Sequence, residues 1–145
     1  MTAATALKLS LAQLPGRAEA EERLQEAARS GAPPCAVAVA VDQYAQIASH
    51  FGPAAADQAL EHVAVRVPAA RLYRWTGGSL LILLETEASA GLLLSRLPDC
   101  YTVRLGADGH AAEVAFSVRA RAFPAEPAPA MARRIDRWIA APWFD

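Results

Sequence analysis

Lysine is all but absent from this chain: Lys8 is the only one, and arginine supplies the rest of the fourteen basic residues. Against fifteen acidic residues they leave a formal net charge of -1. Without a basic excess, a protein that coats nucleic acid is excluded. Long apolar runs are missing too. The longest, CAVAVAV at 35–41 and LLILL at 80–84, fall far short of a membrane span. The opening MTAATALKLSLAQLP has no positive region ahead of an apolar stretch, so no secretory signal is expected. With two cysteines, Cys35 and Cys100, a disulfide scaffold is excluded, and two reduced core thiols in a soluble, cytoplasmic protein are expected. His50, His62 and His110 have no metal-ligand spacing and read as surface residues.

What is present is enough for one core. Hydrophobic residues make up 54% of 145 residues, the size of one domain over 1–145. TALKLSLAQL alternates apolar and polar residues, so 1–15 reads as an N-terminal extended segment before Pro15-Gly16. The text RAEAEERLQEAARS at 17–30 is rich in helix formers, acidic early and basic late, and Gly31 with Pro33-Pro34 ends it. PCAVAVAV is uncharged and predicts a strand buried on both faces. Two helices follow, punctuated by Gly52-Pro53, with Ala56, Leu60, Val63 and Val67 on one stripe of the second. ARLYRW and SLLILLE predict two strands joined by a TGG turn. A helix over 87–96 is next, then strands CYTVRL and AEVAFSVRARAF around GADGH. PAEPAPA links to a last helix, MARRIDRWIAA, and to an aromatic tail at 142–145. This order suits an α+β domain with helices against one face of a largely antiparallel sheet.

The order and the local text resemble the GGDEF domain of bacterial diguanylate cyclases nearly end to end. LSLAQLPGR at 9–17 is similar to that family's D-x-L-T-x-L-x-N-R opening, with Leu11, Leu14 and Arg17 in matching places. AVDQYAQIASHFGPAAADQAL at 40–60 follows D-x-D-x-F-K-x-x-N-D-x-x-G-H-x-x-G-D-x-x-L without a gap through Asp42, Tyr44, Ile47, Phe51, Gly52, Asp57 and Leu60. Arg74-Trp75 precedes TGGSL where the family writes R-x-G-G-D-E-F. FSVRARAFP at 116–124 is similar to the strand ending S-x-G-x-A, and RRIDRWIAA at 133–141 to the closing A-D-x-A-L-Y-x-A-K helix, with Asp136 in the aspartate place. The resemblance implies a mostly antiparallel central sheet of about five strands with helices packed around it, as in nucleotidyl-cyclase palms.

The family's chemistry is phosphoryl transfer between two GTP-loaded domains, carried by metal ions on carboxylate ligands. Residue by residue, the resemblance implies that this equipment is missing. Ala40 stands for the first aspartate of D-x-D. The degenerate motif Thr76, Gly77, Gly78, Ser79 and Leu80 replaces the acidic pair with Gly78 and Ser79. Ala45 stands for the lysine, Ala48 for the guanine-reading asparagine, Pro53 for the histidine and Trp143 for the phosphate-binding lysine. Asp42 and Asp57 survive as residual nucleotide contacts. Losing these groups together removes the electrostatic stabilisation such catalysis depends on. No catalytic residue, metal site or cofactor is therefore expected. The product site R-x-x-D falls on Val67 and Ala70, with Arg66 and Arg71 beside it, and is not expected to bind.

Plainer readings stand beside these. Gly77-Gly78 can cradle a phosphate, but a tight turn in which glycine supplies positive φ is preferred. Ser79 lacks the surroundings of a nucleophile. Asp42 reads as a helix cap and Asp57 as a solvated helix residue. Arg133, Arg134 and Arg137 form either a solvated face or a surface for an acidic partner. Trp138 reads as core, and Trp143 and Phe144 as interface aromatics or as core against the first strand, the two standing level. The expected function is an inactive GGDEF-like domain that binds another protein, or a second copy of itself, in cyclic-dinucleotide signalling. The alternative is a sensor that binds GTP or cyclic di-GMP weakly.

Overall fold

The computed structural model describes residues 11–67, 71–107 and 110–141. The extended segment expected before residue 11, the turn at 108–109 and the tail with Trp143 and Phe144 lie outside them. Leu11–Gln13 forms a short 3-10 turn instead of extended chain, with Leu11 buried in the core. Helix α1 (Arg17–Arg29) starts at Gly16, whose N–H donates to the Glu19 carboxylate at 3.2 Å. Strand β1 (Cys35–Val41) follows, then α2 (Tyr44–Phe51), α3 (Pro53–Ala64), β2 (Leu72–Thr76), β3 (Ser79–Leu84) and α4 (Glu87–Arg96). Strands β4 (Cys100–Ala107) and β5 (His110–Phe123) and helix α5 (Ala128–Ala140) complete the order.

The five strands form one antiparallel sheet in the order β2-β3-β1-β5-β4. β1 lies at its centre and is buried at all seven positions. Its sequence alternates in volume as well as in direction. Val37, Val39 and Val41 face a layer built by Ile47 of α2, Leu60 and Val63 of α3 and Leu93 of α4. Ala36 and Ala38 face the other way, where small side chains leave room for Trp75, Met131, Ile135 and Phe123 under α1 and α5. Helices therefore cover both faces and not one. An all-apolar central strand needs a lid on each side, because either face left open would leave its apolar side chains in water.

Two helices meet at Gly52, which has φ of 96° and gives α2 its end and α3 its start. Only glycine takes that conformation without strain. α3 ends at Ala64, so Val67 extends its apolar stripe from beyond the helix, still buried. Cys35 and Cys100 are both free thiols, but only Cys35 is buried; Cys100 is exposed at the start of β4, an edge strand. Trp138 is half-buried, edge-on to Phe123, and not full core.

The face carrying α1 and α5 is pinned by one polar junction. Arg17, at the start of α1, grips Asp136 of α5 with both terminal nitrogens at 2.8 and 2.7 Å. The indole N–H of Trp75, on β2, donates to the same carboxylate at 2.8 Å, and the Arg17 guanidinium stacks 4.2 Å from the Trp75 ring. Burial pushes the Asp136 carboxyl up, but hydrogen bonds from Arg17 and Trp75 and the Arg17 charge outweigh it and hold it below its ordinary value. A depressed carboxylate contributes stability above its unfolded pKa and loses it as pH falls through the folded one. The difference in urea midpoint between the wild type and Asp136→Asn is therefore expected to hold steady from neutral pH down to about 5 and to shrink below about 4. It should correspond to no more than about 1 kcal/mol, because the junction is partly solvated.

Candidate functional site

The residues that the sequence singles out meet at one end of the sheet, where β1, the β2–β3 hairpin and the middle of β5 lie side by side. Ala40 and Ser79 are cross-strand partners, 4% and 1% exposed. The Val41 N–H donates to the Gly78 carbonyl at 2.9 Å and ties the hairpin to the end of β1. The two positions at which the resemblance calls for metal carboxylates are thus paired, apolar or hydroxylic, and buried.

Asp42 does not cap α2. The N-terminal residue of that helix is flanked by Gln43, which makes no capping hydrogen bond. The Asp42 side chain is 2% exposed and turns to β5, where Arg119 Nε donates to Oδ1 at 2.6 Å and the Ser117 hydroxyl to Oδ2 at 3.1 Å. A carboxylate this buried needs a countercharge more than a helix end needs a cap. Gln43 joins the cluster, accepting from the Ser117 N–H at 2.8 Å. The rest of the Arg119 guanidinium reaches the carbonyls of Trp138, Ile139 and Ala141 at 3.3 to 3.4 Å, at the C-terminal end of α5. The Trp138 carbonyl also accepts the Ala141 N–H at 3.2 Å, and this end of the helix carries the negative end of its dipole. One cation therefore neutralises a carboxylate and a helix terminus at once.

Asp57 stays partly solvated on α3, its side chain 40% exposed, but it also has partners within the protein. Its Oδ1 accepts from the Tyr44 hydroxyl at 2.5 Å and from Arg74 Nη2 at 2.8 Å. Arg74 also donates to the Gly77 carbonyl at 2.8 Å. Burial, then the bond to Asp57, pushes the Tyr44 phenol up, so it stays protonated as a donor.

The glycine pair has a different purpose from the one its turn suggests. Neither Gly77 nor Gly78 has positive φ. Tyr44 instead lies directly over the hairpin, and a Cβ on Gly78 would sit 2.8 Å from both its Cβ and its Cγ. Gly78 is glycine because an aromatic ring lies against its backbone. The turn is closed by Ser79, whose Oγ accepts from the Thr76 N–H at 3.1 Å and meets Thr76 Oγ1 at 2.5 Å. Leu80 is buried in the core behind it.

The donor set does not fit the metal ions that the fold implies. Asp42 has both oxygens engaged by Arg119 and Ser117, and Ala40, Gly78 and Ser79 offer no carboxylate. Among the described residues no group of three or more His, Cys, Asp or Glu is placed to hold a metal. His50 and His62 are exposed. On α5, Arg133, Arg134 and Arg137 are exposed, and Arg134 pairs with Glu126 at 2.9 Å. Val67 is buried, while Arg66 lies over the Tyr101 ring at 5.4 Å.

Arg119 and Ser117 are the participants that reading the residues one at a time passes over. Their signal was in the text: set on S-x-G-x-A, FSVRA puts Ser117 in the serine place and Arg119 where that pattern has glycine. A guanidinium thus fills space that the pattern leaves empty.

No protein-family model matches the sequence, and a search of curated proteins finds no match. Solved structures do match. The GGDEF domain of YfiN (TpbB) from Pseudomonas aeruginosa aligns with a TM-score of 0.65 and 22% identity over 88% of each chain. The GGDEF domain of DgcB from Caulobacter crescentus, in complex with c-di-GMP, aligns at 0.64 and 18% over 92% of this chain and 85% of that one. The diguanylate cyclase SiaD from P. aeruginosa, in complex with its activator SiaC, aligns at 0.62 and 22% over 92% of this chain and 59% of that one. The chain has the GGDEF fold.

Substitutions at Arg119 and at Gly78, each with a comparison variant, test the geometry. Arg119→Ala is expected to cost about 3 kcal/mol in urea unfolding, because it strands a buried carboxylate, whereas Arg134→Ala at the surface should cost under about 1 kcal/mol. Gly78→Ala is expected to cost about 1–3 kcal/mol through the collision with Tyr44, and Gly78→Ala combined with Tyr44→Ala should recover part of it.

Proposed function

We propose that this GGDEF-fold chain makes no cyclic di-GMP and serves as a protein-binding regulatory domain in bacterial signalling linked to that nucleotide, in the cytoplasm. The observation that carries the reading is Arg119. Metal-assisted phosphoryl transfer needs two or more oxygen ligands converging on open space that cations and phosphates can enter. At the matching place in this chain a resident guanidinium binds the one remaining carboxylate, and Ala40 and Ser79 lie buried beside it. Asp57, the other survivor, is engaged by Tyr44 and Arg74. A preserved fold whose polar site is closed by its own side chains is suited to presenting a surface, and solved GGDEF-fold proteins include one crystallised with a protein activator. No described helix is long and apolar enough to cross a membrane.

Incubation with GTP and Mg²⁺ or Mn²⁺, followed by chromatography, is expected to yield no cyclic di-GMP above a protein-free control. Calorimetry with GTP, GDP and cyclic di-GMP, with and without Mg²⁺, is expected to show no saturable heat at millimolar ligand. A product that disappears in Asp42→Ala would overturn the reading. Saturable heat without product would move the domain to the nucleotide sensors.

A further inference from the structure

Three surface features lie outside the closed site. The groove between the end of α1 and β1 is lined by Arg23, Arg71, Glu26 and Glu85, so neither charge sign prevails. The apolar cleft beside α4, with Leu92 and Leu93, has Arg66 at its edge already lying over Tyr101. The third feature has a definite chemistry. Between β5 and α5 lies a cavity of about 280 Å³ lined by Arg121, Phe123, Arg134, Arg137, Trp138 and Ala141.

Phe123 and Trp138 make its aromatic floor, edge to face with centroids 6.0 Å apart. Phe123 is buried, so the half-buried Trp138 supplies the ring a ligand can reach. Three exposed guanidiniums stand around it. Arg134 and Arg137 are three residues apart on one helix face. Arg121 comes from β5, on the same side of the sheet as Phe123, and lies over its ring at 5.6 Å. Among the described residues neither Arg121 nor Arg137 has a carboxylate within 4.0 Å, Arg134 has one partner in Glu126, and no lining residue is acidic. Three cations around one cavity repel one another and lower the cost of bringing in an anion.

We infer that this cavity is a docking site for an acidic segment of a partner protein, one that sets an aromatic or aliphatic side chain on Trp138 and carboxylates on Arg121, Arg134 and Arg137. The inference rests on the protein-binding role proposed above and names its partner's chemistry. Charge complementarity selects an acidic partner, since guanidiniums take carboxylates in paired hydrogen bonds. Size selects a peptide over a dinucleotide: the cavity holds about one large side chain, and the arginines spread around its mouth, where neighbouring residues of a chain would lie. Aromatic and arginine side chains are also the residues in which interface energy concentrates.

The test uses short fluorescein-labelled peptides with one tryptophan flanked by aspartates, together with counterparts that carry lysines for the aspartates or alanine for the tryptophan. Fluorescence anisotropy against the full chain is expected to show saturable binding of the acidic tryptophan peptide alone. Binding should weaken as salt is raised, because the contacts lie at the surface. Arg121→Glu and Arg137→Glu are each expected to weaken it about tenfold. Both positions are exposed, so circular dichroism should stay unchanged. Loss of binding with the aromatic side chain removed supports the role of Trp138. No saturable binding, equal binding of the lysine peptide, or affinity unmoved by both charge reversals would overturn the inference. Displacement of the bound peptide by GTP at equal concentration would also overturn it, in favour of a nucleotide site. A cyclase product would instead defeat the functional reading and leave the peptide result to stand or fall separately.

Discussion

β1 is sealed on both faces, and any charge at its end must be met from within the protein. Asp42 is the first charged residue after that strand, and its side chain is almost fully buried. β5 runs alongside and delivers Ser117 and Arg119 to it, in register with Val41 opposite Val118. Arg119 then reaches beyond Asp42 to the C-terminal carbonyls of α5. One guanidinium thereby fixes the end of the central strand to the end of the last helix. The same bond, with that from Ser117, engages both oxygens of the Asp42 carboxylate. The physical cause is general: a charge that must be buried needs a partner, and here the protein supplies it.

Two other arginines act in the same way. Arg17 joins α1 to Asp136 of α5 while stacking on Trp75, and Arg74 joins Asp57 and Tyr44 to the hairpin at Gly77. Each one bridges several partners at fixed angles, which a planar guanidinium can do and an ammonium cannot do as well. The near absence of lysine fits this use. The arginines that stand in for lysine supply the joints of the fold. Two arginines outside such joints, Arg121 and Arg137, stand beside the aromatic floor of the β5–α5 cavity.

Much of the architecture was legible because it follows from local rules. The apolar run at 35–41 had to be a central strand, and Gly52-Pro53 had to separate two helices, since both features bind the backbone directly. The TGG turn between two apolar runs placed TGGSL in the β2–β3 hairpin, and the resemblance gave the mostly antiparallel sheet of five strands. The site was less legible. Asp42 beside a helix start satisfies the rule for a cap, yet burial overrode it with Arg119, 77 residues away. Asp57 is solvated as a helix residue would be, yet its partners Tyr44 and Arg74, 13 and 17 residues away, were not readable from its spacing. Cys100 sits in strand-like text but lies on an edge, and sequence periodicity does not tell an edge strand from a central one.

The hairpin draws that division most sharply. By itself the sequence determined that the chain turns at Gly77-Gly78, that no carboxylate stands at Gly78 or Ser79, and that one carboxylate precedes the helix that follows β1. Such statements depend on which residues are present and on the chain's short-range conformational limits. Only the tertiary structure decided why Gly78 has to be glycine, because the ring against it comes from Tyr44 on another element. It also decided where Asp42 points. Burial and charge pairing act through space between residues far apart in the chain, and no local spacing encodes which of them will meet.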